Sequence, residues 1–128
     1  MRLLFDTHAF IWWDDDKQGS LGADARLACK DPRNSLYLSL TSVWEMQIKI
    51  QTGKLRLRRP LYEIVGEHLA VGVILRTSKL RDMRELGRLP MLHRDPFDRM
   101  LVAQTRVGDF HIMTIDPLVR AYDVRVIW

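Results

Sequence analysis

Leu3-Leu4-Phe5-Asp6-Thr7-His8-Ala9-Phe10-Ile11-Trp12-Trp13, near the start of the chain, is the stretch whose reading decides the fold. Its leading apolar run suits a short buried strand, Asp6-Thr7 ends that run with a polar turn, and residues 9–13 then read as a short helix. The same unit recurs. Residues 17–22 are polar and glycine-containing and read as a loop, and residues 23–29 have helical composition that stops at Asp31-Pro32. A second strand is expected over residues 36–39, then a helix opened by Ser42, running to about Gln51 and ended by Gly53. Pro60 suits a first helical position and starts a helix to about Leu69, while the β-branched residues within 71–75 predict a third strand. Residues 78–87 read as helix. Asp95-Pro96 opens a strong helix with Phe97, Met100, Leu101 and Ala103 on its apolar side. Residues 112–115 then read as strand, 117–122 as a short helix and 124–127 as a last strand. Parallel neighbours need crossover connections, so this alternation predicts an α/β fold with a parallel sheet covered by helices on both faces.

The chain has 128 residues, 47% of them hydrophobic and 28% charged, with 7 Gly and 5 Pro, which excludes disordered and collagen-like classes and suits one domain over residues 1–128. Its apolar runs, such as residues 9–13, fall far short of the ~18 residues of a membrane span, and Met1-Arg2 leads into a strand rather than a signal peptide. A lone cysteine, Cys29, allows no internal disulfide and no thiolate zinc site, so a cytoplasmic location is expected. The net charge of +4 favours a polyanionic partner weakly. Cations concentrate in two stretches, Lys49, Lys54, Arg56, Arg58 and Arg59, then Arg76, Lys79, Arg81, Arg84 and Arg88, which read as solvated faces; Asp14 to Asp16 form the one acidic cluster.

Ligands of open α/β sheets bind beyond the carboxyl ends of the strands. Asp6 and Asp116 follow predicted strands, Glu45 lies one turn beyond another, and Asp98 sits in the first turn of the Pro96 helix. The four carboxylates are therefore expected to converge on one edge. Like charges held together call for a cation, and carboxylate oxygens select Mg²⁺ or Mn²⁺, which can activate water and offset charge on a phosphodiester. Each acid also has a purely structural reading as a helix cap. Asp6, Asp95 and Asp116 each precede a helix, and Ser42-Val43-Trp44-Glu45 matches a capping box.

The sequence resembles the PIN-domain ribonucleases, specifically the VapC-like toxins of bacterial toxin–antitoxin pairs, over essentially its whole length. The matching segments are Leu3-Leu4-Phe5-Asp6-Thr7-His8; Ser42-Val43-Trp44-Glu45 with Gly53-Lys54-Leu55; His93-Arg94-Asp95-Pro96-Phe97-Asp98-Arg99 with Val102-Ala103-Gln104; and Thr114-Ile115-Asp116-Pro117. The resemblance places the family's acidic metal-binding, catalytic positions on Asp6, Glu45, Asp98 and Asp116. It further implies a three-layer α/β/α sandwich around about five parallel strands, a homodimer, and inhibition by a cognate VapB-like antitoxin.

The expected activity is thus a Mg²⁺- or Mn²⁺-dependent endoribonuclease that hydrolyses RNA phosphodiester bonds by metal-activated water. Ser42 and Thr114 are candidates for supporting the carboxylates, and Lys49 and Lys54 for contacting RNA phosphates. His8, His68, His93 and His111 lack paired zinc-ligand spacing and read as packing or surface residues, with His93, close to Asp95, the one to watch. Trp12, Trp13 and Trp44 read as core or dimer interface. Gly53-Lys54 lacks the glycines of a phosphate loop. An aspartate-nucleophile phosphatase would want an aspartate where His8 stands, and the remaining alternative is a catalytically silent RNA-binding module.

Overall fold

A computed structural model describes residues 1–15 and 20–128. Of the expected loop, residues 17–19 lie outside the described residues, as does Asp16 of the acidic cluster. The elements, in chain order, are β1 (Arg2–Phe5), α1 (Thr7–Asp14), α2 (Ala23–Lys30), β2 (Ser35–Ser39), α3 (Leu40–Gln51), α4 (Leu61–Ala70), β3 (Ile74–Arg76), α5 (Leu80–Arg88), α6 (Pro96–Val107), β4 (His111–Met113), α7 (Pro117–Arg120) and β5 (Arg125–Ile127). All five strands are parallel, in the order β3-β2-β1-β4-β5.

The side-chain alternation of β1 explains the layering. Leu3 and Phe5 point to one face, where with Leu38 of β2 and Met113 of β4 they meet Ala9 and Phe10 of α1, Ala25 and Ala28 of α2, Met46 of α3 and Ile64 of α4. Leu4 and Ile112 point to the other, against Leu101, Val102 and Ala103 of α6, Val119 of α7 and Tyr122. Leu3, Leu4 and Phe5 have no exposed surface, as a central strand covered on both faces requires. The expected three-layer α/β/α sandwich with five parallel strands is what the chain forms.

Boundaries differ where local chemistry chooses between neighbouring signals. Helix α3 begins at Leu40, because Ser39 rather than Ser42 caps it: Ser39 Oγ accepts from the Thr41 amide at 3.1 Å. The expected capping box of Ser42 and Glu45 is therefore not formed; Ser42 lies inside the first turn. Strand β3 starts at Ile74 rather than residue 71, since Gly72 at φ +112° turns the chain first. Strand β4 ends at Met113, which frees Thr114 and Asp116 from the ladder. Arg76 corrects the reading of its basic stretch as a solvated face. It is buried and bonded through both guanidinium Nη atoms to Asp82, at 2.9 and 2.6 Å.

Packing against the last turn of α6 leaves no room for a side chain at Gly108, where a Cβ would lie 2.1 Å from Cε2 of the buried Phe110 ring. Gly108→Ala is expected to destabilise the protein by about 1–3 kcal/mol through overpacking. Urea unfolding would check this, and a change below ~0.5 kcal/mol would mean that the ring moves freely.

Candidate functional site

Asp6 directly follows β1, and Asp116 lies three residues beyond β4. They flank the point where the strand order reverses, the crevice in which open α/β sheets bind ligands. Both are caps as well. Asp6 Oδ1 accepts from the Ala9 amide at 2.7 Å, and Asp116 Oδ1 accepts from the Leu118 amide at 2.9 Å. Thr114, fully buried, joins the two: its Oγ1 accepts from the Asp116 amide at 3.0 Å, and its hydroxyl is hydrogen-bonded to the Asp6 carboxylate. Burial pushes the Asp6 carboxyl above its ordinary range, outweighing the bonds from Thr114 and Ala9, and the charge of Asp116 pushes the same way.

Glu45 stands well inside α3, and no part of it is spent on capping. Its Oε1 accepts the Thr7 hydroxyl at 2.6 Å, and Oε2 lies 2.9 Å from Lys49 Nζ, one turn on. Ser42 Oγ is 3.0 Å from Thr7 Oγ1, so Ser42 reaches Glu45 through Thr7 rather than by touching it. Thr7 was not singled out from the sequence; its place one residue after the strand-end aspartate is the signal that could have found it.

Asp95 and Asp98 divide the two jobs open to acids at a helix start. Asp95 Oδ1 takes the amides of Phe97 and Asp98 at 2.9 and 3.2 Å, leaving Asp98 free of capping. Burial, followed by the charges of Asp95, Glu45 and Asp116, pushes the Asp98 carboxyl up to about 6, against a hydrogen bond to His93.

The four acids thus share one edge and one electrostatic field. Yet among the described residues no three His, Cys, Asp or Glu side chains close on a single point as metal ligands. Each acid has partners of its own: Thr7 and Lys49 for Glu45, the Ala9 amide for Asp6, the Leu118 amide for Asp116 and His93 for Asp98. The ligand atoms the four acids offer are all oxygen, and Asp6 and Asp98 resist ionisation in this surrounding, which is the chemistry that suits a hard divalent ion.

Lys49 also lines a cleft of 440 Å³ with His8, Trp12, Lys54, Arg56 and Arg58. Arg58 is held by Asp14 at 2.6 Å, while Lys54 and Arg56 have no carboxylate partner among the described residues. Trp12 packs on Trp128, and Trp13 stacks on Phe5 against the first core cluster, and both are half-buried. Trp44 is the exposed tryptophan, at 63%, with its ring edge-on to Phe97 at 5.2 Å.

A three-layer sandwich with acids at its topological switch point defines the structural class. No protein-family model matches the sequence, and no curated protein does. Solved structures do match. A chain of the VapBC2 structure from Rickettsia felis, bound to a DNA fragment from their promoter, aligns over 99% of this chain and 98% of its own, with a TM-score of 0.73 and 11% identity. A chain of VapBC-1 from nontypeable Haemophilus influenzae aligns over 99% and 97%, with a TM-score of 0.66 and 14% identity. At such identities the likeness is one of fold. Among the described residues, no helix is long and apolar enough to cross a membrane.

Proposed function

We propose that the chain is a divalent-metal-dependent endoribonuclease, the VapC-like toxin of a toxin–antitoxin pair, in which Asp6, Glu45, Asp98 and Asp116 hold Mg²⁺ or Mn²⁺. The observation that carries this reading is the set of four acids at one strand edge, with Asp6 raised by burial and the charge of Asp116, and Asp98 by burial and the charges of Asp95, Glu45 and Asp116. An ion held there supplies the Lewis acid that makes water nucleophilic at neutral pH and offsets charge on the phosphodiester. The chain's own residues do the rest. Thr7 and Thr114 orient carboxylates, and Lys49, Lys54 and Arg56 offer cations to the RNA backbone along the cleft. The likeness to chains from VapBC structures supports a VapB-like antitoxin as partner. A homodimer in the cytoplasm completes the proposal, with Leu40 and Trp44, exposed one turn apart on α3, the apolar side chains a second copy would cover.

The test is to strip the protein of metal, incubate it with total RNA, add Mn²⁺ or Mg²⁺ and map the new ends. Metal-dependent internal cleavage is expected. Persistent RNA binding without cleavage at any metal concentration would replace this reading with the silent RNA-binding module.

The Asp98 carboxyl also sets a pH dependence. Cation binding needs the carboxylate, so Mn²⁺ affinity should fall about tenfold per pH unit below about 6. The effect on metal-free stability has the opposite sense. A folded pKa above the unfolded 3.8 gives a contribution present below pH ~3.8 and lost as pH rises through about 6. Mn²⁺ titrations between pH 5 and 8 check the first part, and an affinity flat across that window would remove Asp98 from the ligand set.

A further inference from the structure

Behind Asp98 lies a chain of buried polar groups that the proposed chemistry does not yet use: Arg99, Tyr122 and His93. The Arg99 side chain reaches Tyr122 of the second core and is 8% exposed. It has no carboxylate partner among the described residues. Its Nη1 donates to the Pro90 carbonyl at 2.8 Å and to Tyr122 Oη at 2.9 Å. The Tyr122 ring, 4% exposed, in turn faces His93, whose Nδ1 lies 3.2 Å from Tyr122 Oη and whose Nε2 lies 3.4 Å from Asp98 Oδ2.

Proton bookkeeping fixes the direction of this chain. A guanidinium only donates, so Tyr122 Oη accepts from Arg99, and it accepts again from the His93 backbone amide at 3.4 Å. With its lone pairs so engaged, the phenol has its own proton left to give, and His93 Nδ1 is the acceptor within reach. A neutral imidazole that accepts at Nδ1 carries its hydrogen on Nε2, the nitrogen facing Asp98.

We propose that Arg99 and Tyr122 lock His93 as the Nε2–H tautomer, and that His93 is thereby a positioning residue, donating to Asp98 Oδ2 and leaving Oδ1 to face the cation. The order Arg99, Tyr122, His93, Asp98 makes the arrangement one-directional. Reversing the imidazole would point a bare nitrogen at a carboxylate and two donors at each other. The sequence places these four residues in two segments that only the fold brings together, since Tyr122 follows α7 while the others lie at the start of α6. The inference about cation holding rests on the metal-site reading above; the tautomer does not.

The two parts are tested separately. In ¹⁵N-labelled wild-type protein, two-bond proton–nitrogen correlations read the His93 tautomer directly, without substitution. Nε2–H is expected, and Nδ1–H would overturn the proposal. In Tyr122→Phe, which keeps the ring and removes the proton donor, a mixture of tautomers is expected; an unchanged pure Nε2–H signal would remove Tyr122 from the role. Cation holding is read by Mn²⁺ binding alone, following the free-ion resonance. His93→Gln, whose amide nitrogen reproduces the Nε2 donor, should bind Mn²⁺ within about 3-fold of wild type, while His93→Leu should lose about 10-fold or more. Equal losses in both variants, or none in His93→Leu, would overturn the positioning role. Wild-type protein with the expected tautomer but no Mn²⁺ binding would instead sink the metal-site reading and leave the lock standing.

Discussion

Asp98→Asn is expected to cut metal-dependent RNA cleavage by ~100-fold or more while Asp95→Asn, three residues away, keeps most of it. Asp95 Oδ1 is occupied by two first-turn amides, a task that an asparagine oxygen performs about as well. Asp98 caps nothing, lies in the field of Glu45 and Asp116, and contributes charge that asparagine cannot replace. Asp6→Asn should be as inactive as Asp98→Asn, since it keeps the cap to Ala9 and loses the charge. Cleavage by the three folded variants should be followed over a range of Mn²⁺ concentrations, because excess metal can refill a weakened site. An active Asp98→Asn beside an inactive Asp95→Asn would reverse the assignment.

The second large effect concerns stability. Asp82 has no exposed surface, and its carboxylate takes both guanidinium bonds of Arg76 together with the Lys79 amide at 2.9 Å. Asp82→Asn leaves a buried guanidinium without a counter-charge and should cost about 3–5 kcal/mol in urea unfolding. Replacing both residues together, Arg76→Met with Asp82→Leu, should recover most of that loss, because the pair's desolvation is relieved along with its attraction. A single variant that loses less than ~1 kcal/mol would show that water reaches the pair. Burial alone raises the Asp82 pKa, but the bonds from Arg76 and the Lys79 amide outweigh it and hold the carboxyl below the ordinary range. With a folded pKa below the unfolded 3.8, this contribution is complete above pH ~4 and disappears as pH falls through the folded value.

That pair also reaches the candidate site. Gln104 of α6 lies with Nε2 3.5 Å from Asp82 Oδ2, and its Oε1 accepts the Ser39 hydroxyl at 2.5 Å. Ser39 caps the helix that carries Glu45, and Gln104 belongs to the helix that carries Asp98. One buried network therefore sets the relation between two of the four acids.

The limits of reading this sequence follow from the same network. The strand-turn-helix unit at residues 3–13 was legible because burial of β1 on both faces and the polar break at Asp6 are local properties, and the edge acids were legible because each adjoins a strand end or a helix start. Choosing Ser39 over Ser42 as the cap was not, since Ser39-Leu40-Thr41-Ser42 offers several hydroxyls and the partner that helps hold Ser39 lies 65 residues away. Arg76 looked like one more surface cation because its run is basic; only the end of β3 meeting α5 and α6 takes it out of water. Nor could the two segments that bring Tyr122 to His93, 29 residues apart, be paired from spacing.

The placement of β1 in the middle of the sheet carries a consequence for synthesis. Strand β1 has one neighbour in β2, close in the chain, and its second in β4, which starts only at His111, with Asp116 beyond it. A growing chain can form β1, β2 and β3 early, but β1 then stands as an open edge, with one row of amides and carbonyls unpaired. Asp6 waits beside a gap where Thr114 and Asp116 will later sit. Whatever chemistry this edge performs is therefore withheld from the nascent polypeptide until β4 and the turn after it have been made and paired, a delay imposed by strand order alone.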